Sequence, residues 1–413
     1  MPGIKPAMTK EGFMLRPGTF ALTALLAALN AIGPLSMDMY LPSLPAIGQQ
    51  LGVTAAQVQL TISSYLIGFA IGQILYGPVS DRYGRKTVLL AALALYCVGT
   101  IVCALSASVE MLYIGRVVQA LGASGSLVIT RAIVRDLYSG ARAGRELSLI
   151  SSVMALGPVL APIVGGALQA AFGWRSTFVT LVLFGVSSAV VVWALLPETM
   201  HRRATEPFSV SSMLTSYGII ARNPGFLAYL GLATFSYAGL FAWISAASFV
   251  LQSLYHLSPF NFGVVFALGA VGYMSGTAAA ARLVVRIGLD RTIGLGACLL
   301  SFGGLCAVAS VGLGLSSALT LVIPVAIYVA GMGMVLPQGI AGALTPFPER
   351  AGAASALFGF IQQSCAAFVG ALVGWLLGHT AWPLAGGVAI MGCATLVLWL
   401  STRGVRSKAA AAH

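Results

Sequence analysis

Apolar blocks long enough to cross roughly 30 Å of hydrocarbon, about 20 residues each, recur along almost the whole chain, separated by short polar or Gly/Pro punctuation. Their limits predict helices over 19–41, 57–79, 88–107, 109–133, 146–170 and 176–196, then over 224–250, 261–284, 292–312, 317–344, 351–377 and 381–401. The longest polar interval, 198–223, divides these twelve spans six and six. The pattern therefore predicts an all-α integral membrane protein. Its parts are a tail over 1–18, a six-helix bundle over 19–197, a linker over 198–223, a second six-helix bundle over 224–402 and a tail over 403–413. A substrate site between the bundles, near the bilayer midplane, suits that layout. A trace of duplication agrees with it: Gly77, Arg82 and Gly84 after the second span match Ala281, Arg286 and Gly288 after the eighth at one constant offset. The first block runs into Asp38, Tyr40 and Pro42 rather than a small-residue cleavage site, so it reads as a retained helix and not a removed signal peptide.

Composition sharpens this picture. Of 413 residues, 58% are hydrophobic and 8% charged, against about 25% charged in soluble domains, which leaves too little polar surface to face water. A net charge of +12 raises the question of nucleic acid, but the positions of the 22 basic residues answer it. Lys5, Lys10 and Arg16 precede the first span, and Arg82, Arg85 and Lys86 follow the second. Arg131, Arg135, Arg142 and Arg145 surround the junction of the fourth and fifth, and Arg202, Arg203 and Arg222 lie between the sixth and seventh. Arg282, Arg286 and Arg291 join the eighth and ninth, Arg350 joins the tenth and eleventh, and Arg403, Arg406 and Lys408 follow the last. Only Arg175 lies on the other side, and Arg116 lies within a span. Cytoplasmic loops collect Lys and Arg, so both termini are predicted to be cytoplasmic in a multi-pass protein of the bacterial inner membrane. The partners expected are the lipid bilayer, protons and a small-molecule substrate, with no nucleic acid, and the chain is expected to be a monomer.

Cys97, Cys103, Cys298, Cys306, Cys365 and Cys393 fall in apolar spans with no metal-ligand spacing, and His201, His256, His379 and His413 fall in loops or at the terminus. No metal or cofactor is expected. The chain has neither HExxH nor GxSxG, so no catalytic residues are assigned and the reading is a transporter, not an enzyme.

A carboxylate at the bilayer centre costs roughly 2.5–3.5 kcal/mol on insertion scales; of the ten acids, Glu110 begins the fourth span at the outer surface, eight lie in the N-terminal tail or in or beside cytoplasmic loops, and only Asp38 remains within a span. It is either a protonation site, loading and releasing a proton as its surroundings dry and wet, or one half of a structural ion pair. Arg116, at a comparable depth in the fourth span, is the natural counter-ion, and Gln119 one turn on extends the polar strip. Asn30, Tyr40, Gln119, Tyr237, Gln338 and Gln362 are the polar and aromatic candidates for lining a cavity, with Tyr65, Gln73, Trp243, Tyr273 and Gln363 on the same footing. In the fifth span, Gly157, Pro158, Pro162, Gly165 and Gly166 predict a bend, because each proline deletes a backbone hydrogen bond, and close helix approach through the small residues. After the second span, Gly77, Asp81, Arg82, Gly84, Arg85 and Lys86 make a tight turn with more charge than topology needs. Asp81 is expected at a helix N-terminus, where the dipole favours it, latching one bundle to the other.

These motifs resemble the major facilitator superfamily across essentially the whole length. The run Gly77 to Lys86 resembles its loop motif, Arg116 to Gly122 the helix 4 motif of proton-coupled members, and Gly157 to Gly166 the antiporter motif of helix 5, with Ala161 in place of a glycine. Ser36-Met37-Asp38-Met39-Tyr40-Leu41-Pro42 and Arg131 to Tyr138 resemble the Bcr/CflA branch of drug:proton antiporters. The resemblance implies the major facilitator fold and proton-coupled export of amphiphilic antibiotics. It also implies coupling roles for Asp38 and Arg116 and stabilisation of one access state by Asp81 and Arg85. Some multidrug relatives carry a further acid where this chain has Asn30, which points away from strongly cationic drugs. Proton-linked uptake of a nutrient on the same fold is the alternative.

Overall fold

In the computed structural model the described residues are 15, 17–138, 146, 149–150, 156–200, 210–315, 317–347, 350–378 and 380–411. Lys5, Lys10, Glu11, Arg16, Arg142, Arg145, His201, Arg202, Arg203, Glu206, Glu349, His379 and His413 lie outside them. Helix α1 (Phe20–Asp38) is N-capped by Thr19, whose hydroxyl accepts from the Leu22 amide. It stops short of the predicted end because Pro42 has no N–H to continue it: a 3-10 turn, Leu41–Ser43, leads into the short α2 (Leu44–Leu51), which Gly52 ends at φ 65°. Helix α3 (Ala55–Tyr83) opens with a capping box of Thr54 and Gln57. Then follow α4 (Arg85–Ala104), α5 (Val109–Leu137), α6 (Gly157–Phe172) and α7 (Arg175–Leu195).

The short α8 (Val210–Ala221) lies in the interval predicted as linker, followed by α9 (Pro224–Phe249) with a π turn, Val250–Leu254, at its end. The remaining helices are α10 (Pro259–Ile287), α11 (Leu289–Gly312), α12 (Ala318–Leu344), α13 (Ala351–Leu376), α14 (Trp382–Ser401) and α15 (Arg403–Ala411). There is no strand among the described residues. Among the described residues, eleven helical segments are long and apolar enough to cross a membrane, and α6 is a shorter apolar helix. It covers the second part of the predicted span 146–170; most of the first part lies outside the described residues. Helices α8 and α15, of 12 and 9 residues, are too short to cross a membrane, and α2 continues the first span, Phe20–Leu51.

The same packing recurs in each half. Helices α4 and α5, α3 and α5, and α4 and α7 touch in the first; α11 and α12, α10 and α12, and α11 and α14 touch in the second. Between halves, α3 lies against α13 and α6 against α10. The hydrogen bonds that cross between described residues of the two halves lie toward the end opposite the Leu15 and Arg406 end. Ser248 donates to Leu41 O (2.6 Å) and Gln252 to Pro42 O (3.0 Å). Ser63 donates to Ala367 O (3.0 Å) and Gln59 to Gly370 O (3.4 Å). The halves are thus fastened at this far end, and no ion pair between described residues fastens them at the basic end.

Candidate functional site

Asp38 is the last residue of α1 and is 7% exposed. Arg116, on α5, is wholly buried, and it does not pair with Asp38 as expected of a counter-ion: among the described residues, no ion pair includes either. Its Nη1 instead donates to Ser36 O (2.9 Å) and to Gln119 Oε1 (2.7 Å), and its Nη2 contacts Met37 Sδ (3.7 Å). Ser36 O is available because the last carbonyls of a helix lack partners within it. The guanidinium lies over the rings of Tyr65 and Tyr40, 4.2 and 4.6 Å from their centroids, and such π faces attract a cation most strongly when water is excluded. Arg116 therefore grips the turn that carries Asp38 without neutralising it.

This grip is braced from two other helices, α3 and α4. Gln119 donates to Thr100 Oγ1 (3.1 Å), Tyr96 and Ser36 share a hydroxyl hydrogen bond (2.8 Å), Tyr40 bonds Thr61 (2.9 Å) and Tyr65 donates to Gly33 O (3.0 Å). Ser36, Thr61, Tyr96 and Thr100 carried no signal in the sequence, since hydroxyls are cheap anywhere in a helix once bonded. Tyr40 and Gln119, expected to line a cavity, are completely buried in this network and serve as supports. Asn30 is buried too, whereas Tyr237, Gln338 and Gln362 are partly exposed. Asp38 ends α1 just before Leu41 and Pro42, whose carbonyls accept from Ser248 on α9 and from Gln252 in the π turn that follows it, so it sits where the halves meet.

At the basic end, Arg85 is the centre of the charged turn. It pairs with Asp81 (2.5 Å) and Asp136 (2.9 Å) and donates to Ser80 Oγ (2.7 Å). The N-terminus of α4 is capped by Glu198, not by Asp81: its carboxylate accepts from the Arg85 and Lys86 amides (3.0 and 3.2 Å), and Lys86 Nζ reaches Trp193 O (2.8 Å). The expected latch between bundles is therefore, in this conformation, a set of ties within the first half. Gly84, at φ 96°, makes the junction of α3 and α4 that only glycine adopts readily. Arg82 is exposed beside the Tyr83 ring, and Gly77 has open space around it.

In α6, Pro158 occupies the first turn, where a missing N–H costs nothing, so of the two prolines only Pro162 lies inside the described helix. A Cβ on Gly165 would overlap Met39 O, one on Gly166 would overlap Pro259 O, and one on Gly263 of α10 would overlap Pro162 O. The glycines thus let α6 touch both the broken end of α1 and the start of α10. Gly157 has no neighbour at that range.

The family model for the Major Facilitator Superfamily matches residues 26–371. The chain is 33% identical over 364 residues to the Bacillus subtilis protein named uncharacterized MFS-type transporter YdgK, covering 86% of this chain and 88% of that one. It is 30% identical to the chloramphenicol resistance protein of Pseudomonas aeruginosa, covering 95% and 93%. It is 28% identical to the bicyclomycin resistance protein homolog of Haemophilus influenzae, covering 94% and 98%.

Proposed function

Because the chain belongs to the Major Facilitator Superfamily, we propose that it exports small amphiphilic molecules, antibiotics among them, across the bacterial cytoplasmic membrane in exchange for protons. The observation that carries the reading is Asp38, an acid within the spans, buried at the meeting of the halves and free of any ion pair among the described residues. Relatives named for chloramphenicol and bicyclomycin resistance support export of drugs rather than uptake of a nutrient. The concentration of Lys and Arg at one end supports a cytoplasmic location for that end and both termini, and the far end, fastened here, then faces outward.

In this cycle Asp38 takes a proton from outside when the far end opens and releases it inward in the conformation described here. The carboxylate that remains favours entry of the drug from the cytoplasm. Arg116, held to Ser36 O and Gln119, keeps the turn carrying Asp38 in place throughout and biases its charge. The charged turn around Arg85 and the glycines of α6 stabilise the closed ends in alternation, and the protein works as a monomer. Asp38→Asn is expected to insert and fold, as judged by monodisperse elution, but to lose drug resistance and drug-induced proton movement. Full resistance in that variant would end the coupling role.

A further inference from the structure

The second half of the chain has no Asp, Glu, Lys or Arg between Arg222 and Arg282, between Arg291 and Glu349, or between Arg350 and Arg403. Whatever its spans recognise, they recognise without charge. Two adjacent side chains on α13 stand out in that neutral wall. The Gln362 Nε2 donor and the Gln363 Oε1 acceptor are both enclosed and have no hydrogen-bond partner. Enclosed amide atoms are normally satisfied, because each left unmade forfeits its hydration with nothing in return. Helix α13 also lies against α3 of the first half. The unsatisfied pair therefore stands on a helix that meets the first half.

We infer that Gln362 and Gln363 are the polar recognition element for the transported molecule, and that they read an uncharged amide-type group. The carbonyl of such a group accepts from Gln362, and its N–H donates to Gln363. A carboxamide or a lactam carries both the acceptor and the donor that these atoms lack, whereas an ester of the same shape sets an oxygen lone pair against the Gln363 acceptor. A site built to bond an N–H rejects the analogue lacking it, because its own polar atom is then left unpaired. This wall offers a permanent cation no carboxylate.

This inference names the substrate class for the export reading and rests on it. The test is equilibrium binding of tritiated chloramphenicol, a neutral secondary amide, to the full-length protein in nanodiscs. Its competitors are unlabelled chloramphenicol, the isosteric ester and tetraphenylphosphonium. The amide is expected to displace label about tenfold more effectively than the ester, and the phosphonium is expected not to displace it. Gln363→Leu and Gln362→Leu are each expected to shrink the difference between amide and ester. Equal displacement by amide and ester, displacement by phosphonium, or the absence of saturable chloramphenicol binding overturns the assignment, and the wild-type comparison stands even where a variant misfolds. Chloramphenicol-induced proton movement, read in parallel, separates the two ideas. If it persists without amide preference, only the recognition element falls; if it is absent and Asp38→Asn behaves as wild type, the export reading falls.

Discussion

Replacing Arg116 by lysine keeps the charge and discards the shape that holds it. The guanidinium spans Ser36 O and Gln119 while lying flat over Tyr40 and Tyr65; an ammonium is a compact point charge that cannot fill that fork or stack on both rings. Arg116→Lys is therefore expected to insert normally and yet abolish resistance in a susceptibility assay; wild-type resistance would show that charge alone suffices. Gln119→Leu leaves one Arg116 donor and the Thr100 hydroxyl short of a buried partner, at a cost of about 1–3 kcal/mol. A fall in thermal midpoint of the purified protein would register it, and an unchanged midpoint would mean the network is slack. Both lone charges were visible in the sequence, because a span containing one Asp or one Arg advertises it. Their failure to pair was not visible, since it depends on Tyr40, Tyr65 and Ser36, from two other helices, offering the guanidinium an alternative to the carboxylate.

Between helices, the two halves solve one problem with opposite charges. After the last span of the first half, the Glu198 carboxylate caps the backbone of α4. After the last span of the second half, buried Arg406 pairs with Asp290 in the first turn of α11 (2.6 Å), bonds Thr402, and lies near Trp399, whose indole donates to Asp290 O (3.1 Å). Each clasp ties the third helix of its half to the sixth, next to the corresponding glycines, Gly84 and Gly288, both at positive φ. Asp290→Asn leaves buried Arg406 with no acid partner among the described residues, whereas Asp81→Asn leaves Arg85 paired with Asp136, so the first should lower the thermal midpoint more. The reverse order would deny the clasp its structural role. The glycines of the fifth span were legible as a close-packing motif. Their contacts were not, because Met39 becomes available only where α1 breaks and Pro259 only where α10 starts. Gly263→Val should wedge α6 from α10, shifting the population toward a far end that is open. Faster labelling of a cysteine placed at Gln252 would report this, and unchanged labelling would mean that the contact is incidental.

For the molecule as a whole, the apolar blocks made an all-helical membrane fold readable before any coordinates, with eleven helical segments among the described residues long enough to cross and the shorter α6 where the fifth span was expected; the fastening of the far end was not, because it uses only neutral side chains donating to carbonyls. That neutrality has an energetic consequence once combined with the charge census. Asp38 is the one acid away from the basic end and the span starts, and the charges of the second half lie at the ends of its helices. A cycle that moves one proton inward and one uncharged molecule outward therefore carries one positive charge inward. Membrane potential then acts on transport directly, at about 2.3 kcal/mol per 100 mV for each charge, or roughly a 50-fold gradient of the exported molecule. In proteoliposomes held at equal pH on both faces, a potassium diffusion potential negative on the side of the basic end should by itself drive a neutral amide toward the opposite side, and collapsing the potential should stop it. If the potential has no effect while a pH gradient still drives export, the exchange is electroneutral, and the exported molecule must carry a positive charge of its own.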